Sequence, residues 1–156
     1  MAAGNLFAEI VRVRVSALII SNDHIVLVKQ KVPTRPDPVW LPPGGGVETG
    51  EYSEQALVRE VEEETNLTLQ KTELKYVHEF VEPPYHAVEL YFIAGEFSGT
   101  LKTGSDPEFE KHEQQILQSL WVPLEEVNHI ELYPEFLRDS LLSGGYKNSG
   151  IYHYKS

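Results

Sequence analysis

The strongest constraint on the fold is the glycine cluster Gly44–Gly46, which precedes a segment without glycine or proline from Tyr52 to Thr65. Alanine, leucine, glutamate, glutamine and arginine dominate this segment, and all five are good helix formers. Asn66 follows, and asparagine tolerates the left-handed conformation in which many helices end. The sequence therefore predicts a glycine-rich turn followed by a helix over residues 52–65.

Carboxylates are concentrated on one face of this predicted helix. Because a helix turns about 100° per residue, Glu60, Glu63 and Glu64 project from one side, whereas Glu62 projects from the opposite side. Like charges at these spacings destabilise a helix, and a divalent cation held by oxygen ligands would remove the repulsion. The alternative is an acidic face that only meets solvent. A third side carries the apolar residues expected to pack on a sheet: Leu57, Val58 and Val61.

The glycines and Glu51 extend the metal interpretation. Glycine allows close backbone approach, so its carbonyl or amide groups can contact a metal ion or a phosphate. Glu51 could add another oxygen if the loop folds back over the helix. A calcium-binding structural domain is a further alternative, although the chain has no alternating Asp/Asn loop of the calcium-binding type.

Length and composition limit the function classes. The 156 residues favour a single domain over 1–156, and the absence of cysteine excludes disulfides, zinc–cysteine sites and thiol nucleophiles. A formal net charge of −11 argues against binding of a nucleic-acid polymer, whereas a small nucleotide needs only local neutralisation by a metal ion. No segment resembles a signal peptide or a membrane span. We therefore expect a cytoplasmic protein without a membrane partner, and a homodimer is left open.

The rest of the chain predicts strands, loops and a second helix. Valines alternate with polar residues from Val11 onward, which is the period of a half-buried strand. The segments expected to be strands are 11–20, 25–28, 72–82, 87–97 and 116–122. Prolines predict a loop up to Pro43, and 99–114 is expected to be a polar loop. A closing helix is expected to start around Tyr133, with Pro134 at its first position, and to end at Gly144.

One pattern in the sequence resembles a known family. Gly45 is followed after five residues by Glu51, and after seven more by the run Arg59-Glu60-Val61-Glu62-Glu63-Glu64-Thr65-Asn66-Leu67. This arrangement over residues 45–67 resembles the Nudix box, G-x5-E-x7-R-E-U-x-E-E-x-G-U. Asn66 replaces the family's glycine, and Tyr52 stands where many relatives have a serine or threonine cap, so Ser53 is expected to cap instead.

The resemblance implies an α/β/α sandwich around a mixed central sheet. It also implies hydrolysis of the diphosphate linkage in a nucleoside diphosphate derivative, by water attack on phosphorus with Mg²⁺, for which Mn²⁺ can substitute. The positions that match the family's metal site are Gly44, Gly45, Glu51, Glu60, Glu63 and Glu64. Those that match its catalytic residues are Arg59, which would hold the loop and Glu51 in place, and Glu60 and Glu63. Glu60 would act as a metal ligand or as the base.

Many relatives add a carboxylate from a later loop. Its candidates here are Asp106, Glu108, Glu110 and Glu113, of which Glu113 is favoured as a catalytic residue.

The substrate hints point in more than one direction. By analogy with the family, Pro83 favours ADP-ribose and Tyr85 favours dinucleoside polyphosphates, and both residues could equally form a turn between strands. Arg35 could contact a phosphate. ADP-ribose is therefore slightly favoured over nucleoside triphosphates and dinucleoside polyphosphates. The alternative function is a Nudix-like domain that senses a nucleotide without cleaving it, although such a domain would not need the full set of carboxylates.

Overall fold

The computed structural model describes residues 7–104 and 115–156. Within these ranges the strands are β1 (Val11–Leu18), β2 (Ile20–Ser21), β3 (His24–Gln30), β4 (Val39–Leu41), β5 (Gly44–Gly46), β6 (Thr68–Glu82), β7 (Tyr85–Ser98), β8 (Ile116–Pro123) and β9 (Tyr152–Lys155). The α-helices are α1 (Ser53–Thr65) and α2 (Phe136–Ser143). Short 3-10 helices cover Leu124–His129 and Gly145–Lys147.

A mixed five-stranded sheet forms the centre, with the order β5-β1-β7-β6-β9. Strand β1 runs parallel to β7, and β6 runs parallel to β9, whereas the β1–β5 and β6–β7 pairs are antiparallel. A second sheet is built around β3, which pairs with β2, β4 and β8. The glycine strand β5 is thus one edge of the central sheet, and the candidate site lies at this edge.

Apolar residues form clusters on both faces of the central sheet. Successive side chains on a strand point to opposite faces, so neighbouring residues belong to different clusters. Ala17 belongs to the cluster packed on α1, and Leu18 belongs to the cluster packed on α2. Helix α1 contributes buried Leu57 and Val61, and α2 contributes buried Leu137. The predicted α/β/α arrangement around a mixed sheet is confirmed. None of the described helices is long and apolar enough to span a bilayer.

Helix α1 has the predicted position, with one difference at its start. Tyr52 is the N-cap, Ser53 is the first helical residue, and the Tyr52 amide donates to Gln55 Oε1 at 2.8 Å. The expectation that Ser53 is the cap is therefore wrong. Asn66 closes the helix in the left-handed conformation, with φ of 65°, so the residue that replaces the family's glycine serves the same purpose.

Other expectations need correction. Gly44–Gly46 form strand β5 rather than a turn, because their backbone pairs with Ser16–Arg14 of β1. Helix α2 starts at Phe136, after Pro134. The chain is still extended before that proline. Leu132 forms an isolated β-bridge with Trp40, and the Tyr133 amide donates a hydrogen bond to the Trp40 carbonyl at 3.0 Å. Strand β4 and strand β9, which adds to the far edge of the sheet, were not predicted.

Candidate active site

A cavity of about 1230 Å³ covers the α2-side face of the central sheet and reaches its glycine edge. The residues of its wall that matter for chemistry are Arg12, Arg14, Arg35, Gly44, Gly45, Gly46, Glu60, Glu63, Glu64, Tyr85 and Glu89. The edge strand β5 has no side chains, so nothing there separates the sheet face from the carboxylates of α1. The cavity therefore joins acidic, basic and aromatic walls in one space.

Glycine is required where β5 meets helix α1. A Cβ atom on Gly45 would lie 2.3 Å from the Glu60 carboxylate carbon, and one on Gly44 would lie 1.9 Å from the Val15 carbonyl oxygen. At Gly44 the obstacle is backbone, whereas a side chain at Gly45 would require the Glu60 carboxylate to shift. The Gly44 amide also donates a hydrogen bond to Glu64 Oε2 at 3.0 Å. The glycines thus bring the backbone directly against two carboxylates of the helix.

Arg59 organises the acidic residues of the site. Its guanidinium lies 2.7 Å from Glu51 Oε1, 2.7 Å from Glu60 Oε1 and 3.6 Å from Glu63 Oε2, and it donates to the Gly46 carbonyl at 3.1 Å. A guanidinium suits this position because its planar, fork-shaped set of donors can serve several acceptors. Helix α1, the loop that carries Glu51 and strand β5 are therefore joined through one side chain.

The carboxylates of α1 differ in exposure. Glu64 is buried, the side chain of Glu60 is 12% exposed and that of Glu63 is 29% exposed, whereas Glu62 is exposed and accepts a hydrogen bond from Thr68. The face predicted from helix geometry is the face that lines the cavity. Burial raises the pKa of Glu60, and the hydrogen bond from Arg59 opposes that shift.

The donor set suits a hard divalent cation. One wall of the cavity provides oxygen atoms from Glu60, Glu63 and Glu64 and from the backbone of Gly44 and Gly45. Because Gly45 has no side chain, the Glu60 carboxylate can lie against the backbone there. Among residues 7–104 and 115–156, no three acidic or histidine side chains already converge on one point that could hold a metal ion. Binding would therefore need a small rearrangement of carboxylates that now contact Arg59 and Gly44.

Of the other predicted site residues, some line the cavity and some do not. Arg35 and Tyr85 line the cavity, but Arg35 lies 3.2 Å from Glu82 Oε2 and stacks over the Tyr133 ring. Pro83 is exposed in the turn between β6 and β7, outside the lining of the cavity. Glu51, a predicted metal ligand, is not among the described residues that line the cavity, and its contact with the site is the 2.7 Å ion pair with Arg59. Glu113, with Asp106, Glu108 and Glu110, lies outside the described residues.

Several cavity residues were missed from the sequence. Arg12 and Arg14 alternate with valines, so the strand pattern already placed them on one face, but nothing in it showed that this face borders a cavity. The buried His78 lies 2.8 Å from Glu89 Oε1 and 2.7 Å from Ser156 Oγ. His78 and Glu89 are opposite each other in the β6–β7 pair, whereas Ser156 is distant in sequence and is brought to His78 by the pairing of β6 with β9.

Comparison with known proteins decides the family. A family model for the NUDIX domain matches residues 11–141, which includes the carboxylate helix and both layers around the sheet. The chain belongs to the Nudix family. Its Nudix box, residues 45–67, is therefore the part of the fold that comprises the glycine edge, the Arg59 network and helix α1.

Similar proteins include an ADP-ribose pyrophosphatase from Methanocaldococcus jannaschii, 36% identical over 97 residues. That match covers 60% of this chain and 56% of the relative, so the chain spans little more than half of that protein's length.

Solved structures with this Nudix fold include a MutT NUDIX hydrolase from Burkholderia pseudomallei, with 28% identity, a TM-score of 0.64, and coverage of 75% of this chain and 86% of that one. A MutT protein from Methanosarcina mazei has 22% identity and a TM-score of 0.68, and the match covers 90% of this chain and 96% of that one. At that identity the second likeness concerns the fold alone.

Proposed function

We propose that this Nudix protein is a metal-dependent pyrophosphohydrolase that cleaves the diphosphate linkage of a nucleoside diphosphate derivative. The observation that carries the proposal is that Glu60, Glu63 and Glu64 all line the glycine-bordered wall of one cavity. Three carboxylates on one helix face, of which Glu64 is buried, repel one another unless cations compensate them. The cavity, about 1230 Å³, is large enough for a dinucleotide-sized ligand.

The residues of the Nudix box would have separate roles in binding the metal ion and in catalysis. Glu60, Glu63 and Glu64, with a carbonyl of Gly44 or Gly45, would hold Mg²⁺ or Mn²⁺. When bound, such an ion lowers the pKa of coordinated water and screens phosphate charge. Arg59 keeps Glu51 and Glu60 in place, as its 2.7 Å contacts with both carboxylates indicate. If Glu60 instead leaves the ion to Glu63 and Glu64, it would accept the proton from water, a role that its raised pKa favours.

ADP-ribose is the favoured substrate, ahead of nucleoside triphosphates and dinucleoside polyphosphates. Support comes from the Methanocaldococcus jannaschii relative, whose name states that activity, and from Pro83 at the spacing associated with it. Pro83 lies in an exposed turn, so any influence on the substrate would pass through its neighbour Tyr85, which lines the cavity. The expected products are AMP and ribose 5-phosphate.

The test is a substrate panel with identified products. ADP-ribose, nucleotide sugars, dinucleoside polyphosphates and normal or oxidised nucleoside triphosphates would be incubated with Mg²⁺, Mn²⁺, Ca²⁺ or a chelator. We expect cleavage with Mg²⁺ or Mn²⁺, poor turnover with Ca²⁺ because its looser coordination orients water less well, and none with the chelator.

Three outcomes would count against the proposal. Turnover that survives the chelator would refute the metal dependence. A kcat/KM for ADP-ribose at least tenfold below that for a nucleoside triphosphate would overturn the substrate ranking alone. Nucleotide binding without cleavage of any panel member would favour the sensing function instead.

A further inference from the structure

Arg14 lines the cavity between the glycine edge of the sheet and Glu89. On β1 it is directly opposite Gly46 of the glycine edge and beside Glu89 of β7. The Arg14 guanidinium contributes to the electrostatics of both Glu60 and Glu89. Because β5 has no side chains, this guanidinium and the carboxylates of α1 border the same space.

The guanidinium of Arg14 is incompletely paired. Its Nε is buried and has no hydrogen-bond partner among residues 7–104 and 115–156, and its Nη1 lies 3.9 Å from Glu89 Oε2, beyond hydrogen-bond distance. Glu89 is already engaged by His78 at 2.8 Å through its other oxygen. A buried charged donor without an acceptor is unfavourable, and such groups in folded proteins often await a ligand or an ion.

The other arginines of the cavity are engaged differently. Arg35 forms an ion pair with Glu82 at 3.2 Å and lies over the Tyr133 ring. Arg12 lies over the Phe7 ring, 3.7 Å from its centroid. Arg14 is thus the described cavity arginine whose donor geometry is least satisfied by the protein. Its guanidinium also lines the same cavity as the carboxylates of α1 and acts on the charge of Glu60.

We propose that Arg14 is a substrate-binding residue that donates hydrogen bonds to a phosphate group of the ligand, on the side opposite the carboxylates of α1. The inference rests on the proposed function for its ligand class, a diphosphate. A guanidinium fits this task because its parallel N–H groups match two phosphate oxygens. Glu89, fixed by His78, would act as a positioning residue for Arg14. The structural alternative is that Arg14 only balances the charge of Glu89.

The experiment measures binding separately from turnover. The Kd for ADP-ribose would be determined by calorimetry in chelator-treated buffer for the wild type and for Arg14→Gln, and inorganic pyrophosphate would be used as a competitor. We expect Arg14→Gln to raise the Kd for ADP-ribose at least tenfold, about 1.4 kcal/mol. The affinity for pyrophosphate should fall by a similar factor, because the lost contact is with phosphate. The Kd of Arg14→Lys for ADP-ribose should lie between those of the wild type and Arg14→Gln.

Arg138 offers a matched control. Its Nε is also buried without a partner, yet it does not line the cavity. Arg138→Gln should change the ADP-ribose Kd less than twofold. The double variant Arg14→Gln/Glu89→Gln removes both charges, and the binding defect should persist in it if Arg14 contacts phosphate.

The proposal is overturned by any of three results. The first is a change below twofold in folded Arg14→Gln, and the second is recovery of affinity in the double variant. The third is a wild type that binds neither probe. A wild type that binds ADP-ribose but does not hydrolyse it with Mg²⁺ would instead refute the proposed function and leave the role of Arg14 standing.

Discussion

Adding one methyl group at Gly45 should displace a carboxylate of the site without disturbing the rest of the fold. In Gly45→Ala the Cβ would lie 2.3 Å from the Glu60 carboxylate carbon and 2.5 and 2.6 Å from its oxygens, whereas ordinary van der Waals contact begins near 3.4 Å. The carboxylate must therefore move by about 1 Å. Overpacking of this kind typically costs ~1–3 kcal/mol. Since Glu60 also contacts Arg59 at 2.7 Å, the displacement should disturb that ion pair as well.

The expected result of Gly45→Ala is a folded protein with poor catalysis. A misplacement of ~1 Å in a catalytic constellation can cost on the order of 100-fold in rate, so kcat on the best substrate of the panel should fall by about that factor. Urea unfolding should show a loss of ~1–3 kcal/mol. Gly95→Ala serves as the control, because its Cβ would meet nothing closer than 3.6 Å and Gly95 does not line the cavity.

The control variant Gly95→Ala should retain most activity. If folded Gly45→Ala kept the kcat of the wild type, the close contact between β5 and Glu60 would have no bearing on catalysis. If Gly95→Ala lost as much activity as Gly45→Ala, the effect would belong to glycine loss in general rather than to the site.

Three further predictions concern neighbouring residues. Glu63→Gln should lower kcat by about two orders of magnitude, whereas exposed Glu62→Gln should change it less than about threefold, since surface substitutions usually stay within ±0.5 kcal/mol. Equal losses in steady-state assays would show that the two faces of α1 are not distinct. The hydrogen bond from Arg59 lowers the pKa of Glu51 below its ordinary value of 4.5, so this stabilisation is present above pH 4.5 and is lost as the pH falls through the lower, folded-state pKa. Acid titration followed by circular dichroism should show that folded structure is lost less steeply with falling pH in Glu51→Gln than in the wild type. The same steepness in both proteins would contradict the stabilising role of the Glu51–Arg59 pair. Tyr85→Ala should raise KM more than it lowers kcat, because a wall residue contributes mainly uniform binding, and a fall confined to kcat would argue otherwise.

Local sequence was sufficient for the parts of this molecule that depend on short-range spacing. The period of α1 placed Glu60, Glu63 and Glu64 on one side and Glu62 on the other, because a helix has a fixed angle per residue. The alternation of Val11–Val15 placed the strand for the same kind of reason. The left-handed stop at Asn66 followed from the conformational tolerance of one side chain.

Long-range pairing decided what local patterns could not. Three glycines in a row read as a turn, yet they form the edge of the central sheet because β1 supplies the backbone partners. Helix α2 begins after Pro134 rather than at it, because Tyr133 is held by a strand almost a hundred residues earlier. Each difference arises from hydrogen bonds to residues that are distant in sequence.

The sequence by itself determined which carboxylates share one face of α1 and the family pattern that contains them, since both lie within one helix and its preceding loop. Only the tertiary structure decided that this face shares a cavity with Arg14, and that Glu89, His78 and Ser156 form one polar chain beside it. The physical reason is that strand order and register, which no short segment specifies, set which side chains meet across a sheet.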